Sequence, residues 1–402
     1  MHCLIIGKVW PEPASTAAGR RTLDILQSLQ AAGWQLSYAS SAQVGPYSLD
    51  MAAMGIQTHT IQINNSAFDS WLAELAPDVV IFDRFMIEEQ FGWRVETTCP
   101  QALRVLDTVD LHCLRDARQR HVKTGEPLDL FNDMALREIA AIHRCDLTLM
   151  ISDFEMQLLQ DVFSIHFRQL AYWPFVLNGV EHDVPSFEQR QHFIMIGSFQ
   201  HAPNLDAARW CKQTVWPLIR KALPDAELHL YGSYGEKYAG ELNVPKSGFH
   251  FKGRASDALK TMQCYRVNMA PLRFGAGLKG KLFDAFETGT PSVTTPVGAE
   301  GVSSDTCQWG CEVSDVPEEI AVAAIGLYQD PELWQQVQNC GANIVRERFH
   351  RDMWFGRLPQ LIADARAQLI SSRKANFVGQ MLRHHHHRST EFMSRWIEAK
   401  NG

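Results

Sequence analysis

The chain has 402 residues, 46% of them hydrophobic and 21% charged, with a formal net charge of -7. That length exceeds what one hydrophobic core usually supports, so two domains are expected. The composition argues against disorder, and the acidic balance against broad nucleic-acid binding.

The opening MHCLIIGKVW is too short and too quickly polar for a signal peptide. No apolar run approaches the roughly 20 residues that cross a bilayer. Nine cysteines lie without a CxxC pair or a zinc-type Cys/His spacing and read as free thiols of a reducing compartment. The expectation is a cytoplasmic protein.

In chain order, short apolar runs at 3–6, 35–39, 58–63, 78–82, 103–106 and 147–151 predict strands. Amphipathic runs at 19–31, 66–75, 88–96, 132–143 and from 153 predict helices. Strands apolar throughout and separated by helices imply a parallel sheet covered on both faces. The periodicity lapses in NGVEHDVPSFEQRQ and then restarts. Strands are predicted at 192–196, 227–231, 249–251, 266–270 and 291–295, with helices at 205–221, from 256 and from 281, and long helices from 316 to about 365. The fold class is therefore α/β with two doubly wound, Rossmann-like domains. Their boundaries are set at 1–183 and 184–350, followed by C-terminal helices and a basic amphipathic tail at 351–402. Ligands of such sheets sit beyond the carboxyl ends of the strands, so the natural site is the cleft between the domains.

The stretch FGAGLKGKLFDAFETGTPSVTTPVGAEG, 274–301, follows a strand and opens a helix. Glycines that permit close approach and a helix N-terminus form an anion site suited to phosphate. Lys279 and Lys281 add charge. Lys281, Asp284 and Thr288 fall on one helical face, while Leu282, Phe283 and Phe286 can face the core. A cation beside the phosphate and a carboxylate one turn deeper suit a nucleoside diphosphate, the carboxylate taking the ribose hydroxyls. The alternative is an ordinary βα loop with a solvated Lys/Asp face.

This segment resembles the donor-binding region of family 4 glycosyltransferases, a retaining group of GT-B fold. The resemblance implies that Gly275 and Gly277 form the turn, Lys281 is the phosphate cation and catalytic group, and Asp284 is the ribose-binding acid. Gly289 and Pro291 match the GxP element, and Gly298, Glu300 and Gly301 the loop behind it. It implies a nucleotide-sugar donor, UDP- or GDP-linked, as substrate, a glycan or lipid-linked acceptor, and no separate cofactor. Two departures stand out. Where the family carries a first glutamate this chain has Ala276, so donor hydroxyls would be met by the 275–279 backbone, which includes Leu278. Where the family places an arginine and a lysine after the first strand of the second domain, this chain reads Gly197, Ser198, Phe199, Gln200, His201. The phosphate charge then falls on Lys281, Lys279, Arg273 or Arg254.

In the first half, Gly19 and Arg20 open a helix behind KVWPEPASTA, either as a cleft loop or as a plain helix entry; GxGxxG is absent. Asp107, Asp110 and His112 follow a strand. The family's His-Asp pair makes Asp110 and His112 catalytic candidates, sharing a face if the segment is extended; helix capping is the other reading. Arg84, with Glu88 nearby, is a further cleft candidate, against a surface ion pair. No DxD motif marks a metal site. The run His384–His387 reads as solvated. The tail around it reads as a basic amphipathic helix that touches a membrane surface or a partner, or, more commonly, packs on its own domain.

Overall fold

The computed structural model describes residues 1–179, 183–303 and 308–401. The first domain is built on seven parallel strands: β1 (His2–Gly7), β2 (Gln35–Ser40), β3 (Gln57–Thr60), β4 (Val79–Asp83), β5 (Leu103–Asp107), β6 (Leu147–Met150) and β7 (Leu170–Tyr172). Their order is β3-β2-β1-β4-β5-β6-β7. The central strands β4 and β5 are buried at every position. Helices α1 (Ala17–Ala31), α2 (Ala67–Leu75), α3 (Phe85–Thr98), α4 (His112–Thr124), α5 (Asp133–Arg144) and α6 (Asp153–Phe163) connect them. One apolar cluster forms on each face of the sheet, which is why the strand runs are not alternating.

The second domain repeats the plan with five strands: β8 (Gln191–Ile196), β9 (Leu228–Tyr231), β10 (Phe249–Gly253), β11 (Tyr265–Ala270) and β12 (Ser292–Thr294), ordered β10-β9-β8-β11-β12. Its helices are α7 (Ala202–Trp210), α8 (Trp216–Ala222), α9 (Ala239–Leu242), α10 (Ala258–Met262), α11 (Gly280–Glu287), α12 (Pro296–Ala299), α13 (Pro317–Gln329) and α14 (Pro331–Ile344). The single helix expected at 205–221 is interrupted by a wide π turn at Cys211–Val215. Pro217, just after it, has no N–H to give to a carbonyl four residues back, and the wide turn accommodates that loss. In each sheet the chain reverses its winding beside the first strand, between β1 and β4 and between β8 and β11. Those two switch points are where ligands of such sheets bind. The lapse in periodicity falls between Tyr172 and Gln191; its residues 180–182 lie outside the described ones.

In the first domain two elements escape the sequence pattern. Strand β7 has three residues, too few for a period. Helix α4, HCLRDARQRHVKT, is so polar that its apolar face is only Cys113, Leu114 and Ala117. A tertiary contact starts it: the buried Glu138 of α5 accepts hydrogen bonds from His112 N (3.0 Å) and Cys113 N (2.9 Å).

The C-terminal helices α15 (Arg351–Trp354), α16 (Arg357–Ala367), α17 (Leu369–Ala375), α18 (Phe377–Leu382) and α19 (Arg388–Asn401) return to the first domain. Leu358, Ile362 and Leu369 enter its core, and Trp173 Nε1 donates to Trp354 O at 3.0 Å. The tail packs on α3 and α5. His387 is buried there and hydrogen-bonds Glu96, correcting the reading of the whole histidine run as solvated; His384 and His385 remain exposed. The tail's apolar stripe nonetheless points outward: Phe377, Phe392, Met393 and Trp396 are each more than half exposed. Among the described residues no helix is long and apolar enough to cross a membrane.

Candidate functional site

The carboxyl ends of β1, β4 and β5 face those of β8 and β11 across a cavity of about 1030 Å³. Both domains supply cations to it: Lys8, Arg84 and Arg115 from the first, Arg254, Lys279 and Lys281 from the second. The local backbone is strained on the first-domain wall. Arg84 (φ 74°) and Val109 (φ 63°) are non-glycine residues in the left-handed region, one residue after β4 and two after β5. Such conformations cost about 1–3 kcal/mol each and persist where the surroundings impose them, often at functional sites.

On the opposite wall the loop after β11 leads to the N-terminus of α11. Gly277 (φ 63°) presses on the first domain: a Cβ there would lie 2.8 Å from the Asp110 Cβ. Buried Glu155 holds this loop, accepting from Gly277 N (2.6 Å) and Leu111 N (3.1 Å). Lys279 caps α11 and is buried; burial pushes its ammonium down to about 8, against the pull of Glu300 and Glu155. Lys281 Nζ donates to Asn204 Oδ1 at 2.6 Å. Burial lowers its pKa to about 8 as well, opposed by Asp284 and assisted by Lys279. Two ammonium groups near the end of a helix dipole, short of anionic partners, form a site that gains by taking an anion.

Asp284 lies one turn along α11. Arg20 of α1 reaches across the cleft to its Oδ1 (3.2 Å) and to Glu287 Oε2 (2.8 Å). Burial raises the Asp284 carboxyl to about 6, with Arg20 opposing and Glu287 assisting. Arg118 of α4 spans the domains too, donating to Gly275 O (2.9 Å) and pairing with Glu300 (2.6 Å).

Residues 190–330 match the model described as glycosyl transferases group 1. The match lies within the second domain, over the strands and helices that carry the glycine loop and α11. No curated protein sequence matches the chain. Among solved structures, it is similar to sucrose-phosphate synthase from Thermosynechococcus elongatus, with a TM-score of 0.66 at 13% identity over 91% of this chain and 100% of that one. HepE of Anabaena, solved with UDP and glucose, gives a TM-score of 0.66 at 12% identity over 90% and 99%. WaaG, a glycosyltransferase of lipopolysaccharide biosynthesis, gives 0.61 at 13% identity over 91% and 98%. At these identities the likeness establishes the fold: GT-B, as the resemblance implied.

Within this GT-B fold, the cavity is lined by Gly19, Arg20, Arg84, Asp110, His112, Ser198 and Arg254, and by Gly275, Ala276, Leu278, Lys279, Lys281 and Asp284. Four expectations need correction. Arg273 does not line the cavity; it pairs with Asp206 (Nε to Oδ2, 2.9 Å) on the flank of α7. Glu88 is buried away from it, paired with Arg144 and close to His387; despite burial these cations hold its carboxyl down at about 2. Thr288 is not on the cavity face of α11: it is buried at the helix end, bonded to Asp284 O (2.9 Å) and Thr290. Asp110 and His112 do not lie in an extended segment. Val109 turns the chain and His112 begins α4, so both reach the cavity by a turn rather than by alternation. Asp110 is ion-paired with Arg115, and His112 Nδ1 sits 3.3 Å from Glu138 Oε1 and 3.8 Å from Asp110 Oδ1. Asp107, at the carboxyl end of β5, is taken by Arg21 (2.8 Å).

Sequence reading missed Arg115, Arg118, Glu155, Asn204 and Glu287. The first two carried a usable signal, being three residues apart on a helix and therefore on one face. The others act through contacts between distant segments, for which one sequence holds no signal.

Proposed function

We propose that this protein is a retaining glycosyltransferase, moving a sugar from a nucleotide-sugar donor, UDP- or GDP-linked, to a glycan or lipid-linked acceptor without a metal ion. The observation that carries this reading is the anion site at the start of α11, where Lys281, Lys279 and the glycine loop open into a cavity shared by both domains. A leaving nucleoside diphosphate develops charge at that point, and preorganised cations and helix amides act there without reorganising. Cations from the first domain, Lys8, Arg84 and Arg115, compensate for the arginine and lysine that the loop after β8 lacks. In the front-face mechanism implied by the family resemblance, the leaving phosphate takes the acceptor's proton, so no enzymic nucleophile is required. HepE, whose structure holds UDP and glucose, supports testing uridine donors first. Ala276 packs in the first domain's apolar cluster, consistent with donor hydroxyls being met by backbone instead of a carboxylate.

A sugar-nucleotide epimerase of the same fold needs an acid/base set on the sugar. Burial of Glu88 with Arg144 removes one of its three candidates and leaves Asp110 and His112. A nucleotide-free scaffold is the remaining alternative. For an acceptor held in a lipid, the exposed Phe392, Met393 and Trp396 beside Arg388 and Arg395 supply a peripheral membrane contact. The deciding experiment is a thermal-shift screen against UDP, GDP, ADP, CMP and dTDP, followed by incubation with the matching sugar donor alone. One nucleoside diphosphate is expected to raise the melting temperature, because a ligand of the native state stabilises it. No shift with any of them favours the scaffold, and a converted sugar nucleotide without acceptor favours the epimerase.

A further inference from the structure

At the opposite end of the second sheet from the cavity, the amino ends of its strands gather another set of groups. Glu227 immediately precedes β9, His229 lies on it, and His250 of the edge strand β10 is in register with His229. One ligand-capable atom from each lies within 4.8 Å of the other two. Glu227 Oε2 is 2.7 Å from His229 Nε2 and 3.6 Å from His250 Nε2. His250 Nε2 is shielded from solvent and has no hydrogen-bond partner among the described residues. On its far side His229 Nδ1 meets the Tyr265 hydroxyl at 2.7 Å, and that hydroxyl meets Tyr231 at 2.9 Å.

We propose that Glu227, His229 and His250 bind a divalent transition ion, zinc first, as a structural clip between β9 and β10. Two imidazoles and one carboxylate form a common three-ligand zinc set, the fourth position being taken by water. Tetrahedral bonds of roughly 2.0–2.2 Å put ligand atoms about 3.3–3.5 Å apart, so the observed separations close around an ion with small side-chain rotations. As a plain hydrogen-bonded pair, His229 donates Nε2–H to Glu227 and accepts from Tyr265, leaving His250 Nε2 without a role. With the ion bound, the His229 ring stays neutral and takes the other tautomer: solvent removes the proton from Nε2 and returns one to Nδ1. Nδ1–H then donates to Tyr265 and the Nε2 lone pair binds metal. An outer partner of this kind commonly fixes the tautomer of a ligating histidine. Edge strand β10 ends at Gly253 and delivers Arg254 to the cavity, so the clip anchors that strand while remaining outside the reaction.

The test uses the full-length protein, freed of metal by chelator and dialysis, and titrated with zinc against a chromophoric chelator. His384, His385 and His386 are replaced by Ser in every sample, so that zinc taken up by the histidine run does not enter the count. One zinc per chain is expected, with a higher melting temperature in its presence. His250→Gln should abolish both, and Tyr265→Phe should weaken binding by roughly 10–100-fold. Glu227→Gln provides a second ligand loss that preserves side-chain shape, should His250→Gln disturb the strand. Absence of a stoichiometric zinc overturns the proposal, as does wild-type zinc affinity in whichever ligand variant folds.

Discussion

At the scale of single residues, the two charged groups of α11 are held in states that a ligand would change. Replacing Lys281 with Ala should reduce turnover at least tenfold and weaken nucleoside diphosphate binding without unfolding the chain, an outcome that steady-state kinetics and calorimetry check together; about 1.4 kcal/mol corresponds to that factor. The pKa of about 8 adds a sign. The binding-competent ammonium is fully present only well below pH 8 and is lost as pH rises through it, so affinity should fall above that pH. Lys281→Arg, which stays charged, should make the fall shallower. Asp284 has opposing effects on affinity and stability. If it accepts both ribose hydroxyls, Asp284→Asn should cost roughly ten- to a hundredfold in nucleoside diphosphate affinity, since such charge-assisted contacts contribute about 1.5–3 kcal/mol. Pyrophosphate, without a ribose, should bind as before. Stability should move the other way. The carboxyl titrates near 6 when folded against 3.8 when unfolded, so between those values the folded chain keeps a proton that the unfolded chain has lost. Stability therefore declines as pH rises through that window. Asp284→Asn should melt higher than wild type at pH 7, with the gap closing near pH 4.

At the scale of elements, the loop from β11 to α11 depends on one glycine for its shape. Gly277→Ala puts a Cβ into Asp110 at a left-handed φ, and should lower both melting temperature and nucleotide affinity. Gly240→Ala, where no atom lies within 4 Å of the added Cβ, serves as the neutral control. The tail is the other element with a testable face. Its inner side is held by Glu96, which hydrogen-bonds His387, and by Arg94 donating to Ser394 at 3.0 Å. Phe392 and Trp396 stay outside. Phe392→Ser with Trp396→Ser should reduce co-sedimentation with anionic vesicles while leaving the melting temperature unchanged. Equal sedimentation of both proteins would remove the membrane from the proposed function.

For the whole molecule, α1 and α4 of the first domain grip α11 and the glycine loop of the second through Arg20 and Arg118. Closure of this kind excludes water from a reactive donor. Because side-chain cations from both domains line the cavity and no DxD motif marks a metal site in the sequence, transfer should continue in excess EDTA at the assay temperature, as a radiolabelled-donor assay would register. Chelation should lower the melting temperature only, by removing the clip between β9 and β10. Loss of transfer restored by manganese or magnesium would place a metal in the reaction itself.

The sequence by itself determined the α/β class, the restart of the pattern in a second sheet and the place of the segment that carries the proposed anion site. Each of these is written in local periodicity or in one continuous segment, as with Gly277, Lys281 and Asp284, which share a loop and a helix turn. Arg84 and Asp110 were legible as cleft residues because both follow strand ends. Only the tertiary structure decided which charges face each other. Arg273 is paired with Asp206 instead of facing the cavity, Glu88 with Arg144, and Asp284 with Arg20. Helix α4 likewise depends on Glu138, contributed from α5. Ion pairs and caps between distant segments are set by how two sheets and their helices pack, and that packing leaves no periodic trace in the chain.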